Sequence, residues 1–373
     1  MLTSLTAENQ TSCPTFNESK RERFSNDLNL VVALSVIAVV TDVFTVLFNL
    51  TLIISLWRYK KTCRNNQITK TIVTSMAVAD LFQSLFSAQP GLLLLITNGQ
   101  WNLGLIMFFS WNAYAYYLGC TSACHIFSMA LDKYLAICHP TKYRILPDKL
   151  GYVMVFLSWL IPMVIEVIMY LLMKEAFQDI NFDDDCFDGY ILKDLENSFV
   201  IIASTFASAF LVTPIVFSYF LYFFISIEIH QWIHRTRKFL NIENKPRNKS
   251  SSDELGILQP TVFKISQVLV LSSLQEHSHG KTKEVSATVQ NYKTLGGRRN
   301  LKAIRTIGSI VLTFTMCWFP SIILLILMSR RIQISIQFYI IVLLIGYLNN
   351  TLNPLLCLGI GFVRQALRDL WLI

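Results

Sequence analysis

Residues 336–358, IQFYIIVLLIGYLNNTLNPLLCL, are long enough to cross a bilayer as one helix, yet Tyr347, Asn349, Asn350, Asn353 and Pro354 interrupt their hydrocarbon. A span takes about 20 mostly apolar residues, and polar side chains persist inside one where they line a cavity or a contact between helices. These amides must therefore face protein rather than lipid. They mark a functional site before any other feature is read.

The rest of the chain is of the same kind. Hydrophobic residues make up 53% and charged residues 15% of 373 positions, too apolar a balance for a soluble protein of this length. Windows of about 20 apolar residues recur at 28–57, 67–96, 103–138, 152–173, 198–229, 303–328 and 334–358. The fold class predicted is all-α, a seven-transmembrane helix bundle. The stretch Val262–Leu274 competes as an eighth, but Lys264 and Gln267 follow Pro260 and leave it short of a span; it reads as an amphipathic loop segment.

Basic residues in short loops set the orientation. The first loop holds Arg58, Lys60, Lys61 and Arg64 without an acid, and the third holds Lys142, Arg144 and Lys149 against Asp148. Both are predicted to be cytoplasmic. Residues 174–196 instead carry eight acids against Lys174 and Lys193 and are placed outside. Seven spans then put the N-terminus outside and the C-terminus inside. The net charge of +8 reads as this topology and not as nucleic-acid binding. The expected divisions are an extracellular stretch 1–27, a membrane domain 28–358 with a long, largely disordered inner loop over 231–300, and a membrane-surface segment 359–373. That last segment sets Phe362, Leu367, Leu370 and Trp371 against Arg364, Gln365, Arg368 and Asp369, the pattern of an amphipathic helix lying on lipid.

Residues 1–27 lack the apolar centre of a cleavable signal, so the first helix is expected to anchor the chain. Asn9 and Asn17 head glycosylation triplets on the outer side. Of eight cysteines only Cys13 and Cys186 fall outside, where a disulfide between them and two free thiols are both open, because sequence does not supply bridge geometry. His230 and His234 lie four apart without a third ligand, and no nucleophile or phosphate-loop motif occurs; nothing points to an enzyme.

Taken in order, the landmarks of the spans resemble those of the rhodopsin-like (class A) G-protein-coupled receptors. They are Asn49, then AVADL at 77–81, then Ser122 and Asp132-Lys133-Tyr134, Trp159, Pro214 and Tyr222, Phe314 with Cys317-Trp318-Phe319-Pro320, and GYLNNTLNPLLC at 346–357. The resemblance covers nearly the whole chain. Asp80, an acid in an apolar helix, needs partners such as Asn49, Ser122, Asn349 and Asn353. The family holds a sodium ion at this constellation, and Asp80, Ser122, Asn349 and Asn353 all match it; a purely structural hydrogen-bond network is the alternative. Pro214, Pro320 and Pro354 each remove a helix hydrogen bond and allow a bend. The resemblance makes Trp318 the rotamer switch at a pocket floor, with Phe314 one turn deeper.

Helical spacing gives the expected ligand pocket: Asn112, Ala115, Tyr116 and Gly119 on the third span, Phe206 and Phe210 on the fifth, Trp318, Ser321, Ile322 and Leu325 on the sixth, Leu343 and Tyr347 on the seventh. This lining is largely apolar. The family's amine receptors place an aspartate where Ala115 stands, and its opsins a retinal-binding lysine where Tyr347 stands. The six-carboxylate surplus of residues 174–196 instead favours a cationic ligand such as a basic peptide, with a small apolar or lipid-like ligand second. Asp42 and Glu166 are further acids in apolar helices, read either as counter-charges for a ligand or as partnered structural acids.

Three departures from the family stand out. Lys133 replaces the arginine of the Asp-Arg-Tyr motif and loses its planar fork. Cys357 replaces the tyrosine of Asn-Pro-x-x-Tyr, which in the family meets the equivalent of Tyr222. Phe108 stands where the third span usually offers its outer cysteine. The function expected from the resemblance is a plasma-membrane receptor coupling to a heterotrimeric G protein beside Asp132, Lys133, Tyr134 and Tyr222. A seven-helix transporter and a binding scaffold that has lost coupling are the alternatives.

Overall fold

The computed structural model describes residues 28–59, 66–97, 103–176, 198–243, 282–330, 332 and 334–371. Nine helices occur among them: α1 Leu28–Arg58, α2 Gln67–Ile96, α3 Gly104–Cys138, α4 Pro140–Ile145, α5 Lys149–Ala176, α6 Ser198–Glu243, α7 Thr282–Ser329, α8 Ile336–Cys357 and α9 Gly361–Trp371. Six of the long ones are apolar and long enough to cross a membrane. The seventh, α3, is 35 residues long and owes its lower apolarity to Thr121, Ser122, His125, Ser128 and Asp132, all buried. It packs against α2 and α5, while α1 packs against α2, α8 and α9. The protein is a multi-pass membrane protein with the seven spans the hydropathy indicated.

Two compact units make up the chain, one of residues to Ile225 together with Ala303 onward, the other Ser226–Lys302. In the second unit Arg235 forms an exposed ion pair with Glu228 at 3.5 Å. The first unit turns its aliphatic side chains outward on α1 and α5, where lipid is their solvent. Its interior holds one large cluster running from Leu52 and Met76 through Met129 to Phe314 and Trp318. A smaller cluster lies around Trp111, Leu94, Leu324 and Tyr339.

Prolines leave carbonyls that must be satisfied from elsewhere, because hydrocarbon offers no donor. Pro354 has no N–H for the carbonyl of Asn350 four residues earlier, and Asn49 Nδ2 of α1 donates to that oxygen at 3.1 Å. In α2 the residues before Pro90 widen into a π-helical turn, Gln83–Ser87, closed by the Ala88 N–H on the Gln83 carbonyl. The Ser87 carbonyl at its end accepts from both Trp111 Nε1 and Tyr347 Oη, each at 2.7 Å. The widened turn thereby ties α2 to α3 and α8.

Two local features differ from the sequence reading. The loop 139–149 contains a helical turn, α4, begun by Pro140 at its first position, where the missing N–H costs nothing and the fixed φ suits a helix. Within 231–300, expected to be a largely disordered loop, helix reaches Glu243 and resumes at Thr282, because those stretches carry Lys, Arg, Glu and Gln and are free of proline. Residues 244–281, which include the segment after Pro260, lie outside the described residues. So do Asn9, Cys13, Asn17 and Cys186.

The amphipathic α9 docks through Phe362, Val363 and Ala366, all buried, and the Gly359 turn before it sits so close to Thr306 that a side chain there would collide with it. An acid at 363 would strand a charge in this contact. Val363→Asp is expected to raise amide hydrogen exchange over 361–371 while α2 and α3 stay protected; unchanged exchange at 361–371 would show that the docking does not hold α9.

Candidate functional site

The polar residues of α8 do meet those of the first three helices. Asp80 is fully buried, and its carboxylate accepts from Asn353 Nδ2 at 3.0 Å and from Ser122 Oγ at 3.5 Å, the limit of a hydrogen bond. Asn49, expected beside Asp80, spends its amide donor on the carbonyls of Thr45 and Asn350. Pro354 explains the redirection. Asn349 is also fully buried, and neither atom of its amide has a partner among the described residues; the same holds for Asn353 Oδ1 and Asn49 Oδ1. These buried polar atoms on α1 and α8 are left incomplete by the hydrogen bonds among the described residues.

Above this cluster Trp318 of α7 lies against Gly119 of α3 so closely that any Cβ at 119 would overlap the indole. The indole N–H is buried without a partner among the described residues, and the ring stacks on Phe314 at 5.8 Å. Tyr116, Phe210 and Ile322 pack against the hydrophobic cluster to which Trp318 and Phe314 belong. Asn112 Oδ1 accepts from Tyr339 Oη at 2.6 Å, and Ser321 faces Gly346 across α7 and α8. Ala115 and Leu325 are half-buried; the side chain of Phe206 lies outside the described residues. Leu343 and Tyr347 border a cavity of about 260 Å³ between α1, α2 and α8, on the far side of Tyr347 from α7. Both residues belong to the ligand pocket expected from spacing, and both also line this cavity.

At the inner end Asp132 is saturated. Lys133 Nζ sits 2.7 Å from Asp132 Oδ2, Thr69 Oγ1 donates to the same oxygen at 2.6 Å, and Tyr143 Oη donates to Oδ1 at 2.6 Å. Lys133 also donates to Thr69 at 2.6 Å. Burial, reinforced by the Asp132 charge beside it, pushes the Tyr143 phenol above its usual range, so it remains a donor. Tyr134 stacks edge-on to His139 and Phe224, and the ring of Tyr222 lies beside Gly308 of α7. Cys357 is fully buried.

Sequence reasoning missed Thr69, Tyr143 and the Ser75 hub, where Trp159 Nε1 donates at 2.8 Å and His125 Nε2 lies at 2.8 Å. Only His125 carried a signal, since it follows Ser122 by three on the same helix face. Among the described residues no group of three His, Cys, Asp or Glu side chains gathers as for a transition metal.

Residues 48–356 match the family described as "7 transmembrane receptor (rhodopsin family)". Similar proteins include the Octopamine receptor beta-2R of Drosophila melanogaster, 24% identical over 83% of this chain and 55% of its own length. The 5-hydroxytryptamine receptor 1F of Cavia porcellus is 23% identical over 76% of this chain and 78% of its own. The Melatonin receptor type 1A of Mus musculus is 28% identical over 59% and 58%. The chain spans little more than half the length of the Drosophila melanogaster octopamine receptors it matches. These relatives are receptors, not enzymes or transporters.

The Asp132 cluster generates a direct test. Tyr143→Phe removes a donor from a buried carboxylate and is expected to destabilise the protein by about 1–3 kcal/mol, read as a lowered unfolding midpoint by tryptophan fluorescence. A midpoint equal to that of the unmodified chain would show that the Tyr143 bond contributes nothing.

Proposed function

The chain belongs to the rhodopsin family of seven-transmembrane receptors, and on that premise we propose that it binds an extracellular ligand in the outer half of the bundle and activates a heterotrimeric G protein at the inner face. It would lie in the plasma membrane with its N-terminus outside and C-terminus in the cytoplasm. The observation that carries the reading is the seating of Trp318 against Gly119 with its indole N–H unpartnered and its ring on Phe314. A ligand touching that ring from outside has a direct mechanical path to the Asp80 cluster one turn deeper. It shifts the bundle only by its differential affinity for the two arrangements.

The ligand is proposed to be small and mostly apolar. The relatives are named for octopamine, 5-hydroxytryptamine and melatonin, and Tyr116, Phe210 and Ile322 add apolar surface to the hydrophobic cluster that contains Trp318. Ala115 offers no carboxylate to anchor an amine in the manner of the family's amine receptors. The acid surplus of residues 174–196 favours a basic peptide as the second reading; those acids from Phe177 on lie outside the described residues.

A sodium ion at the Asp80 cluster is part of the proposal. Hard cations take oxygen ligands, and Asp80, Ser122, Asn349 and Asn353 offer carboxylate, hydroxyl and amide oxygens, the last two unpaired. Bound there, the ion would supply charge compensation for the carboxylate. At the inner end the Asp132 cluster holds Lys133 back toward α2; its release would open the cleft beside Tyr222. A lysine makes that contact as a point charge, without the bidentate fork of the family's arginine, and Cys357 offers no phenol to Tyr222.

Guanine-nucleotide exchange on a panel of purified G proteins, with the protein in nanodiscs, tests the reading. Small amines and indoles are expected to drive exchange and basic peptides are not; the reverse would reassign the ligand, and no exchange under any condition would make the chain a binding scaffold. For the ion, sodium chloride is expected to raise the unfolding temperature above that in potassium chloride of equal strength, and Asp80→Asn to abolish the difference. Equal temperatures in the unmodified protein would leave the cluster a plain hydrogen-bond network.

A further inference from the structure

We infer that a second ligand site opens sideways to the membrane between α1, α2 and α8, and that it takes an amphiphile whose protonated amine pairs with Asp42. Asp42 lies near the middle of the 31-residue α1, roughly 20 Å from either helix end, which is hydrocarbon depth. Its carboxylate accepts from Gln89 Nε2 at 2.8 Å and from the Ser84 hydroxyl. Among the described residues no Lys, Arg or His forms an ion pair with it. Two neutral donors orient a carboxylate without cancelling its charge, and an uncompensated charge at this depth is costly.

Asp42 lines the cavity of about 260 Å³, whose wall is mostly aliphatic, with Leu34, Ala38, Leu92 and Leu344, and carries polar Thr41, Ser84 and Gln89 beside the carboxylate. Ile37, Ile341 and Leu348 also line it, yet they are 58%, 45% and 40% exposed. The cavity therefore opens on the outer surface of the bundle. In a membrane protein that surface meets lipid, so the occupant arrives from the bilayer. The volume falls below the roughly 300–1,000 Å³ of sites that enclose a drug-sized ligand. It suits an ammonium head and the first part of an apolar chain, the remainder lying along the exposed flank of α1. Charge complementarity selects the head, and the aliphatic wall selects the chain.

The inner wall includes Thr45 and Asn350. Thr45 bonds Thr351, and the Asn350 carbonyl accepts from Asn49, so the site adjoins the polar cluster. The inference does not depend on what fills the pocket above Trp318 or on G-protein coupling. Its test reads binding alone.

The probe is a long-chain primary alkylamine carrying a diazirine, applied to the protein in phosphatidylcholine nanodiscs, with labelled peptides mapped by mass spectrometry. Saturable labelling is expected within residues 34–48 or 340–350, displaced by the unmodified alkylamine and not by the alcohol of equal chain length. Asp42→Asn should weaken the amine's apparent affinity by about tenfold or more, the loss of one partly buried ion pair. Leu92→Trp fills the cavity with the carboxylate in place and should abolish labelling at an unchanged unfolding temperature, which keeps the test decisive if Asp42→Asn does not fold. Labelling spread evenly over the lipid-facing helices, equal competition by amine and alcohol, or full labelling of either folded variant would overturn the inference.

Discussion

The bond between Asn353 and Asp80, 3.0 Å long and fully buried, joins α8 to α2 at a depth where neither side chain has water to fall back on. In hydrocarbon every polar group must find its partner within the protein, and this one requirement arranges the bundle's centre. It holds α8 against α2 and brings Ser122 of α3 to the same carboxylate. Asn349 and the free Oδ1 of Asn353 add buried polar atoms of α8 that find no partner among the described residues. Each helix that contributes a polar side chain is thereby given a rotation, because turning it outward would expose that group to lipid.

Prolines act through the same constraint. Pro354 takes a donor from the Asn350 carbonyl, and Asn49 answers from α1; the widened turn ahead of Pro90 presents the Ser87 carbonyl to Trp111 and Tyr347. A bend made by a missing hydrogen bond is thus also a weld between helices. Such welds are polar and directional, so they have discrete arrangements rather than a continuum, the property a switching bundle needs. The contact of Trp318 with Gly119 adds a steric element. With no Cβ on the glycine the indole approaches backbone, and its movement is felt by Phe314 and the cluster below.

The two ends of the bundle differ in how their charges are met. Near the C-terminal end of α3 Asp132 has Lys133, Thr69 and Tyr143, a closed set. At mid-depth Asp80 and Asp42 have only neutral donors. The first is flanked by unpaired oxygens and the second by an apolar cavity, so the kind of cation each would accept differs: a bare ion for Asp80, an ammonium on a chain for Asp42.

Much of this was legible in the residues alone. Span number and position follow from apolar length, and the meeting of Asp80 with Asn353 from the cost of leaving either alone in lipid. The family followed from the order of its motifs. Tertiary structure decided the rest, because it depends on which helix faces which at what height. Nothing in the sequence told Asn49 to serve Asn350 rather than Asp80, or Tyr143 to reach Asp132 from a helical turn. Nor did spacing along α8 foretell that the Tyr347 hydroxyl donates to the Ser87 carbonyl of the widened turn. Periodicity settles the face of a helix; the partner on that face is set by distances between helices, which only the folded bundle defines.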